Sequence, residues 1–104
     1  MQYDEPSNGR EIELRSGDEF AVSLPETRTA GYRWTVGSDG RPTLLCTSDH
    51  SAPNQGQVGG SGRHEWHFRA ATEGWAVIEM HYGRPWENDA KPERTFTLKV
   101  RVRP

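Results

Sequence analysis

The sequence predicts an all-β protein, an immunoglobulin-like antiparallel β-sandwich of about seven strands. Apolar and polar residues alternate in seven short segments, as in strands with one buried and one solvated face. Eleven glycines and seven prolines in 104 residues favour many turns. No segment shows a helical period. Seven short strands separated by turns are typical of an immunoglobulin-type sandwich, and we expect residues 1–104 to form one domain.

The first half of the chain contains four of the predicted strands. "EFAVSL" places Phe20, Val22 and Leu24 on one face, and "YRWTV" repeats the pattern around Trp34. "EIELR" before them and "TLLCTS" after them are weaker candidates. The second of these contains Cys46, which we expect to be a buried structural thiol in an apolar strand.

The second half contains the three clearest strands. "RHEWHFRA" places Trp66 and Phe68 on one face, and "WAVIEMHY" turns Ile78 inward and Trp75 away from the core. The last segment, "RTFTLKVRVR", alternates without a break. We therefore expect Trp34 and Trp66 to lie in the core and Trp75 to lie on the other face of its strand.

Composition excludes several functions. Thirteen basic and fifteen acidic residues give a net charge of -2, without the basic patch that nucleic-acid binding needs. The single cysteine excludes an internal disulfide, and the apolar runs are too short to cross a membrane. The compartment stays open among periplasm, secretion and cytoplasm. No nucleophile or acid/base constellation indicates an enzyme.

The four histidines do not predict a metal site. His64 and His67 fall on opposite faces of one strand, so they do not chelate together easily. A cross-strand pair of His67 with His81 lacks a third obvious ligand. We expect neither a metal ion nor another cofactor.

Three loops carry the unusual residues, and a sandwich of this type would bring them to one end. They are "LPETRTAGY", the glycine-rich "GQVGGSG" and "YGRPWE". Trp86 is the most unusual residue because a large apolar ring follows Pro85 in a turn. Its ring either folds back on the sandwich edge or serves as an anchor for a partner.

These loops resemble the three motifs of the chagasin-type inhibitors of papain-like cysteine proteases. The family's Asn-Pro-Thr-Thr-Gly-Tyr/Phe-x-Trp corresponds to "TRTAGYRW", its Gly-x-Gly-Gly to "GGSG" and its Arg-Pro-Trp/Phe to "RPW". The order of the motifs and the intervening strands also match. Thr27 and Arg28 stand in place of Asn-Pro, Ala30 replaces a threonine and Ser61 replaces a glycine.

The resemblance implies a reversible, non-covalent, tight-binding inhibitor of papain-like (cathepsin L-type) proteases that fills the active-site cleft. Its partner would be the protease, it would be a monomer, and it would have no catalytic residue. The protease-binding residues implied by the motifs are Thr27, Arg28, Thr29, Ala30, Gly31, Tyr32, Gly59, Gly60, Ser61, Gly62, Arg84, Pro85 and Trp86. The alternative is a ligand-binding sandwich for carbohydrate or protein that uses Trp75 and Trp86 as stacking platforms.

Overall fold

The computed structural model describes residues 1–27, 32–53, 61–84 and 93–104. A short 3-10 helix, Glu5–Ser7, lies between the first two strands. The strands in chain order are β1 (Gln2–Tyr3), β2 (Glu11–Arg15), β3 (Glu19–Thr27), β4 (Arg33–Asp39), β5 (Leu44–Pro53), β6 (Ser61–Ala70), β7 (Gly74–Gly83) and β8 (Arg94–Arg103).

The strands of the described ranges form two four-stranded sheets. We name the first sheet A, with the order β1-β3-β6-β5, and the second sheet B, with the order β2-β8-β7-β4. Pairing is antiparallel except at two edges, where β1 joins β3 and β2 joins β8 in parallel. The predicted all-β sandwich is confirmed: its seven expected strands are β2 to β8, and the two-residue β1 is an addition that alternation could not indicate.

The core lies between the two sheets and is built from alternate residues of each strand. In sheet B the inward residues of β7 and β8 are apolar along the whole strand. Trp34 and Trp66 are buried in this core, as predicted, whereas Trp75 lies outside it with 57% of its surface exposed. The largest fully buried side chains are Trp66, Phe68, Phe96, Leu24, Leu44, Ile78, Met80 and Leu98.

Several strands run further toward the three loops than alternation indicated. β3 continues through Pro25 to Thr27, and β6 begins at Ser61. Proline is tolerated because β1 covers only Ala21 and Val22, so β3 has an open edge beyond them. The carbonyl of Pro25 lies on that open side, where it accepts a hydrogen bond from Trp34 Nε1. Ser61 and Gly62, which we expected in the glycine-rich loop, belong to strand β6.

One sequence-based expectation about burial was wrong. Cys46 is exposed rather than buried: it lies on β5, an edge strand of sheet A, directly before a β-bulge between Cys46 and Ser48. The possible pairing of His67 with His81 does not occur, since β6 and β7 belong to different sheets. Over the described ranges, the chain contains no helix long and apolar enough to cross a membrane.

Candidate functional site

Strand pairing gathers the described flanks of all three predicted loops at one end of the sandwich. Thr27, at the end of β3, pairs with Ser61, and Pro53 pairs with Gly62 across the β5–β6 hairpin. In sheet B, Arg33 at the start of β4 pairs with Gly83 at the end of β7. We call this end, defined by these paired residues, the loop end. Each loop therefore starts or finishes beside a neighbouring loop.

The base of the first loop is closed by hydrogen bonds between β3 and β4. The backbone N–H of Trp34 donates to Glu26 Oε2 over 2.9 Å. The indole Nε1–H of Trp34 donates to the carbonyl of Pro25, also over 2.9 Å. Since β3 lies in sheet A and β4 in sheet B, these bonds also tie the two sheets together.

Glu26 lies at the centre of a buried polar cluster beneath the first two loops. Only 3% of its surface is exposed. The Ser51 hydroxyl donates to Glu26 Oε1 over 2.7 Å, and His64 Nδ1 lies 3.1 Å from Glu26 Oε2. The other ring nitrogen of His64, Nε2, contacts Asp49 Oδ1. One carboxylate thus receives contacts from β4, β5 and β6.

The environment of Glu26 keeps its carboxyl group ionised. Burial alone would raise the pKa of Glu26, because a charged group loses hydration in the interior. The hydrogen bonds from Trp34, Ser51 and His64, together with the charge of His64, outweigh that effect and lower the pKa. The cluster is therefore built around a carboxylate that accepts hydrogen bonds, and not around a neutral acid.

An aromatic stack links the first loop to the third. The Tyr32 ring, half-buried directly before β4, stacks on Tyr82 with the ring centroids 5.8 Å apart. The guanidinium of Arg84 lies over the Tyr32 ring, 4.7 Å from its centroid. Tyr82 also packs against Trp34, with 5.2 Å between the ring centroids. The flanks of the first and third loops are thereby held by a shared contact.

The base of the third loop is closed by the last residues of β7 and the first of β8. The Glu93 N–H donates to the Tyr82 carbonyl over 2.7 Å, and Tyr82 pairs with Arg94. The Arg94 guanidinium lies 5.3 Å from the Tyr82 ring centroid and forms an ion pair with Glu5 at 3.0 Å. These contacts fix where the chain leaves and re-enters sheet B.

The structure brings together those predicted site residues that it describes. Thr27 and Ser61 are direct partners in the β3–β6 ladder, and Tyr32 contacts Arg84. Gly62 lies next to Ser61 in β6. The predicted site residues that lie outside the described ranges are Arg28, Thr29, Ala30, Gly31, Gly59, Gly60, Pro85 and Trp86.

Sequence reasoning missed Glu26 and His64. A signal was present, since Glu26 continues the inward series of Phe20, Val22 and Leu24 two residues further along β3. A charged residue at an inward position is rarely buried without a partner. The partner could not be found from spacing alone, because His64 lies 38 positions away in the chain.

The described residues offer no metal centre and no activated thiol. Among them, no three His, Cys, Asp or Glu side chains are arranged to hold a metal ion. Desolvation and the negative charge of Asp49 raise the pKa of the Cys46 thiol, which disfavours the reactive thiolate.

The profile of the family described as "Chagasin family peptidase inhibitor I42" matches residues 13–100. The chain belongs to the chagasin family of peptidase inhibitors. None of the curated protein sequences compared with the chain matches it. The match includes seven of the eight strands in whole or in part, so the family assignment rests on the framework as well as the loops.

Several solved structures are similar to the chain, including the following three. The cysteine protease inhibitor EhICP2 from Entamoeba histolytica has 24% identity and a TM-score of 0.86, covering 98% of this chain and 94% of that chain. Amebosin has 30% identity and a TM-score of 0.71, covering 98% and 96%. PbICP-C, solved in complex with falcipain-2, has 18% identity and a TM-score of 0.62, covering 99% and 90%.

Together these similarities identify an inhibitor and not an enzyme. Members of the chagasin family inhibit peptidases, and the chain matches the family over most of its length. The similar structures support the fold, and the family assignment makes the chain a peptidase inhibitor.

Proposed function

We propose that residues 1–104 form a single domain that inhibits papain-like (cathepsin L-type) cysteine proteases reversibly, tightly and without covalent chemistry. Its three loops would occlude the active-site cleft together. The observation that carries the proposal is the convergence of the loop flanks, seen in the pairing of Thr27 with Ser61 and of Arg33 with Gly83. A wedge needs several loops on one edge, and this convergence supplies that arrangement.

The first loop would enter the catalytic centre of the protease. In this proposal Thr29 lies beside the protease's cysteine and histidine, where its hydroxyl offers a hydrogen bond. Arg28, Ala30, Gly31 and the flanking Thr27 would line the same entry, and Tyr32 would fix the loop to the framework. Because Arg28 stands where the family has proline, the loop lacks the fixed φ that proline supplies and loses more conformational entropy on binding.

The other two loops would bind on either side of the first. Gly59 and Gly60, with Ser61 and Gly62 from the start of β6, would lie along the substrate groove and hydrogen-bond through their backbone. The pairing of Ser61 and Gly62 with β3 holds the base of that segment in an extended geometry. Trp86, preceded by Pro85, would stack on an aromatic surface of the protease, and Arg84 would make a charged contact at the rim.

The alternative of one binding platform built from Trp75 and Trp86 is not favoured. Trp75 lies near the start of β7, and the third loop follows the far end of that strand at Gly83. At about 3.3 Å per residue, these points are roughly 25 Å apart along the strand. Trp75 is also covered in part by Arg101, whose guanidinium lies 5.5 Å from its ring centroid. The two tryptophans would therefore belong to separate surfaces.

Inhibition of papain and a cathepsin L-type protease tests the proposal. The domain should inhibit at micromolar concentration or below. Trp86→Ala and Thr29→Ala should each raise the inhibition constant. For Trp86→Ala the expected increase is about 30-fold, because a buried tryptophan anchor contributes about 2 kcal/mol. Cys46→Ser should leave it unchanged. No inhibition by the wild type would refute the proposed function, and full potency in both loop variants would refute the wedge assignment.

A further inference from the structure

We infer that Glu26 is a positioning residue that fixes the first and second loops relative to each other. The inference rests on the proposed function, because it explains how those two loops would be presented together to a protease. Glu26 precedes the first loop directly and lies at an inward position of β3, where the preceding inward residues Phe20, Val22 and Leu24 are apolar.

The carboxylate of Glu26 contacts both sides of the first loop. Its own strand, β3, leads into the loop, and Oε2 accepts a hydrogen bond from the N–H of Trp34, which lies just after the loop in β4. The bond joins residues eight positions apart and closes the base of the loop. Nothing in the strand ladders provides this closure, because β3 and β4 belong to different sheets.

The same carboxylate contacts both strands of the hairpin that carries the glycine-rich loop. Ser51 on β5 donates to Oε1 over 2.7 Å, and His64 on β6 places Nδ1 3.1 Å from Oε2. Ser51 and His64 are themselves direct partners in the hairpin ladder. Movement of the hairpin relative to the first loop would therefore have to break contacts with Glu26.

His64 is held so that it can only present Nδ1 to Glu26. Its ring stacks on the buried ring of Trp66, with 4.0 Å between the centroids and an angle of 8° between the planes. Its Nε2 contacts Asp49 on β5. The imidazole of His64 is thus held by its stacking on Trp66 and by contacts with the carboxylates of Glu26 and Asp49.

A carboxylate is the side chain that this geometry requires. Trp34 and Ser51 both donate, and an ionised carboxylate is an acceptor on both oxygens. In a Glu26→Gln variant the charge is lost, and an amide nitrogen replaces one acceptor oxygen, either toward Ser51 or at the site shared by Trp34 and His64, so the hydrogen bonds of the cluster must rearrange. The change preserves size and removes only the acceptor pattern and the charge.

The first test measures the free protein by NMR. In Glu26→Gln, the backbone amide of Trp34 should exchange with solvent about 10-fold faster or more, and its proton resonance should move upfield, because a charge-assisted bond is replaced by a neutral one. Glu13→Gln is the matched control, since Glu13 forms an exposed ion pair with Arg103 away from the loop end. An unchanged Trp34 amide in Glu26→Gln would overturn the inference.

The second test measures inhibition of papain by the same variants. Glu26→Gln should raise the inhibition constant about 5- to 50-fold, as expected for a buried hydrogen bond left unmade. Ser51→Ala, which keeps the carboxylate, should raise it less, and Glu13→Gln should not change it. Val22→Ala separates positioning from stability: it creates a cavity in the same strand but leaves the cluster intact.

The outcomes distinguish this inference from the proposed function. If wild type does not inhibit, the proposed function fails, and the Trp34 amide still decides whether Glu26 holds the loop base. If wild type inhibits but Glu26→Gln is equally potent, or if Val22→Ala raises the inhibition constant as much as Glu26→Gln, Glu26 does not position the inhibitory loops.

Discussion

The inward residues of the two sheets differ at the loop end. In sheet B, the buried residues of β7 and β8, such as Ile78 and Leu98, are all apolar. In sheet A, the apolar series of β3 ends at Leu24 and is followed by Glu26. On β6, Trp66 is followed toward the loop end by His64. The two central strands of sheet B thus bury only apolar side chains, whereas sheet A buries a carboxylate beneath the loops.

This difference separates two physical roles within one framework. Burial of apolar side chains stabilises the fold roughly in proportion to the area removed from water, and it does not require a particular orientation of the groups in contact. Hydrogen bonds to a buried carboxylate contribute less net stability but require defined distances and angles. Sheet B therefore contributes mainly to the stability of the fold, whereas the loop end of sheet A contributes mainly to the relative placement of the loops.

The largest expected effect tests the role of sheet B. Leu98→Ala removes a fully buried side chain from the middle of β8 and should lower the free energy of unfolding by about 2–5 kcal/mol. The free energy is measured by urea denaturation, with the outward Val77→Ala as the control. Inhibition per folded molecule should not change. If Leu98→Ala is fully folded in the assay and still loses most of its inhibitory potency, sheet B also determines the placement of the loops.

The second largest effect tests the polar end of sheet A. His64→Ala removes the β6 contact of Glu26 and the ring stacked on Trp66. We expect a loss of about 1–3 kcal/mol in the free energy of unfolding, since a buried carboxylate loses one of its partners. Urea denaturation measures it. His67→Ala, on the outward face of the same strand, is the control; an equal loss there would contradict the distinction between the two faces.

Much of sheet B could be predicted from the sequence, because strand alternation determines which residues face inward. "RTFTLKVRVR" and "WAVIEMHY" both place their apolar residues in the core as expected. Alternation continued past Leu24 indicates the direction of Glu26, but not its contact with His64. That contact depends on the register of β3 with β6, which is a non-local property of the fold.

The remaining errors also have physical causes. The burial of Cys46 was predicted wrongly because alternation does not show that β5 is an edge strand, whose residues are covered on one side only. The limits of the glycine-rich loop were misplaced because β3 and β6 continue pairing to Thr27 and Ser61, although Gly62 has low strand propensity. Tertiary pairing outweighed the local preference at these positions.

A smaller effect tests the link between the first and third loops. Tyr32→Leu keeps an apolar side chain but removes the stacking on Tyr82 and the contact with Arg84. The expected loss is about 0.5–1.5 kcal/mol in the free energy of unfolding, the range found for aromatic pairs. Tyr32→Phe, which retains the ring, is the control in the same denaturation experiment. Equal losses in both variants would assign the effect to the hydroxyl and not to the stack.

The smallest expected effect concerns the pH dependence of the free energy of unfolding. It distinguishes the ionised Glu26 from the apolar core residues of sheet B. Its pKa in the folded protein lies below the ordinary value of 4.5, so between these two values the unfolded chain binds more protons. The stability that the ionised carboxylate contributes is fully present above pH 4.5 and is lost as the pH falls through the lower, folded-state pKa. No inward residue of β8 has such a dependence.

The measurement is the free energy of unfolding of wild type and Glu26→Gln in urea, from about pH 6 to about pH 3. The wild type should be more stable at the upper end, and the difference should shrink as the pH falls below 4.5. His64 on β6 faces Glu26 directly, and Asp49 on β5 faces His64, so the contributions of these two groups must be separated from that of Glu26. Asp49→Asn, alone and combined with Glu26→Gln, separates these contributions. A difference that stays constant over the whole range would show that the charge of Glu26 does not stabilise the loop end, and that its carboxylate acts there only through its shape.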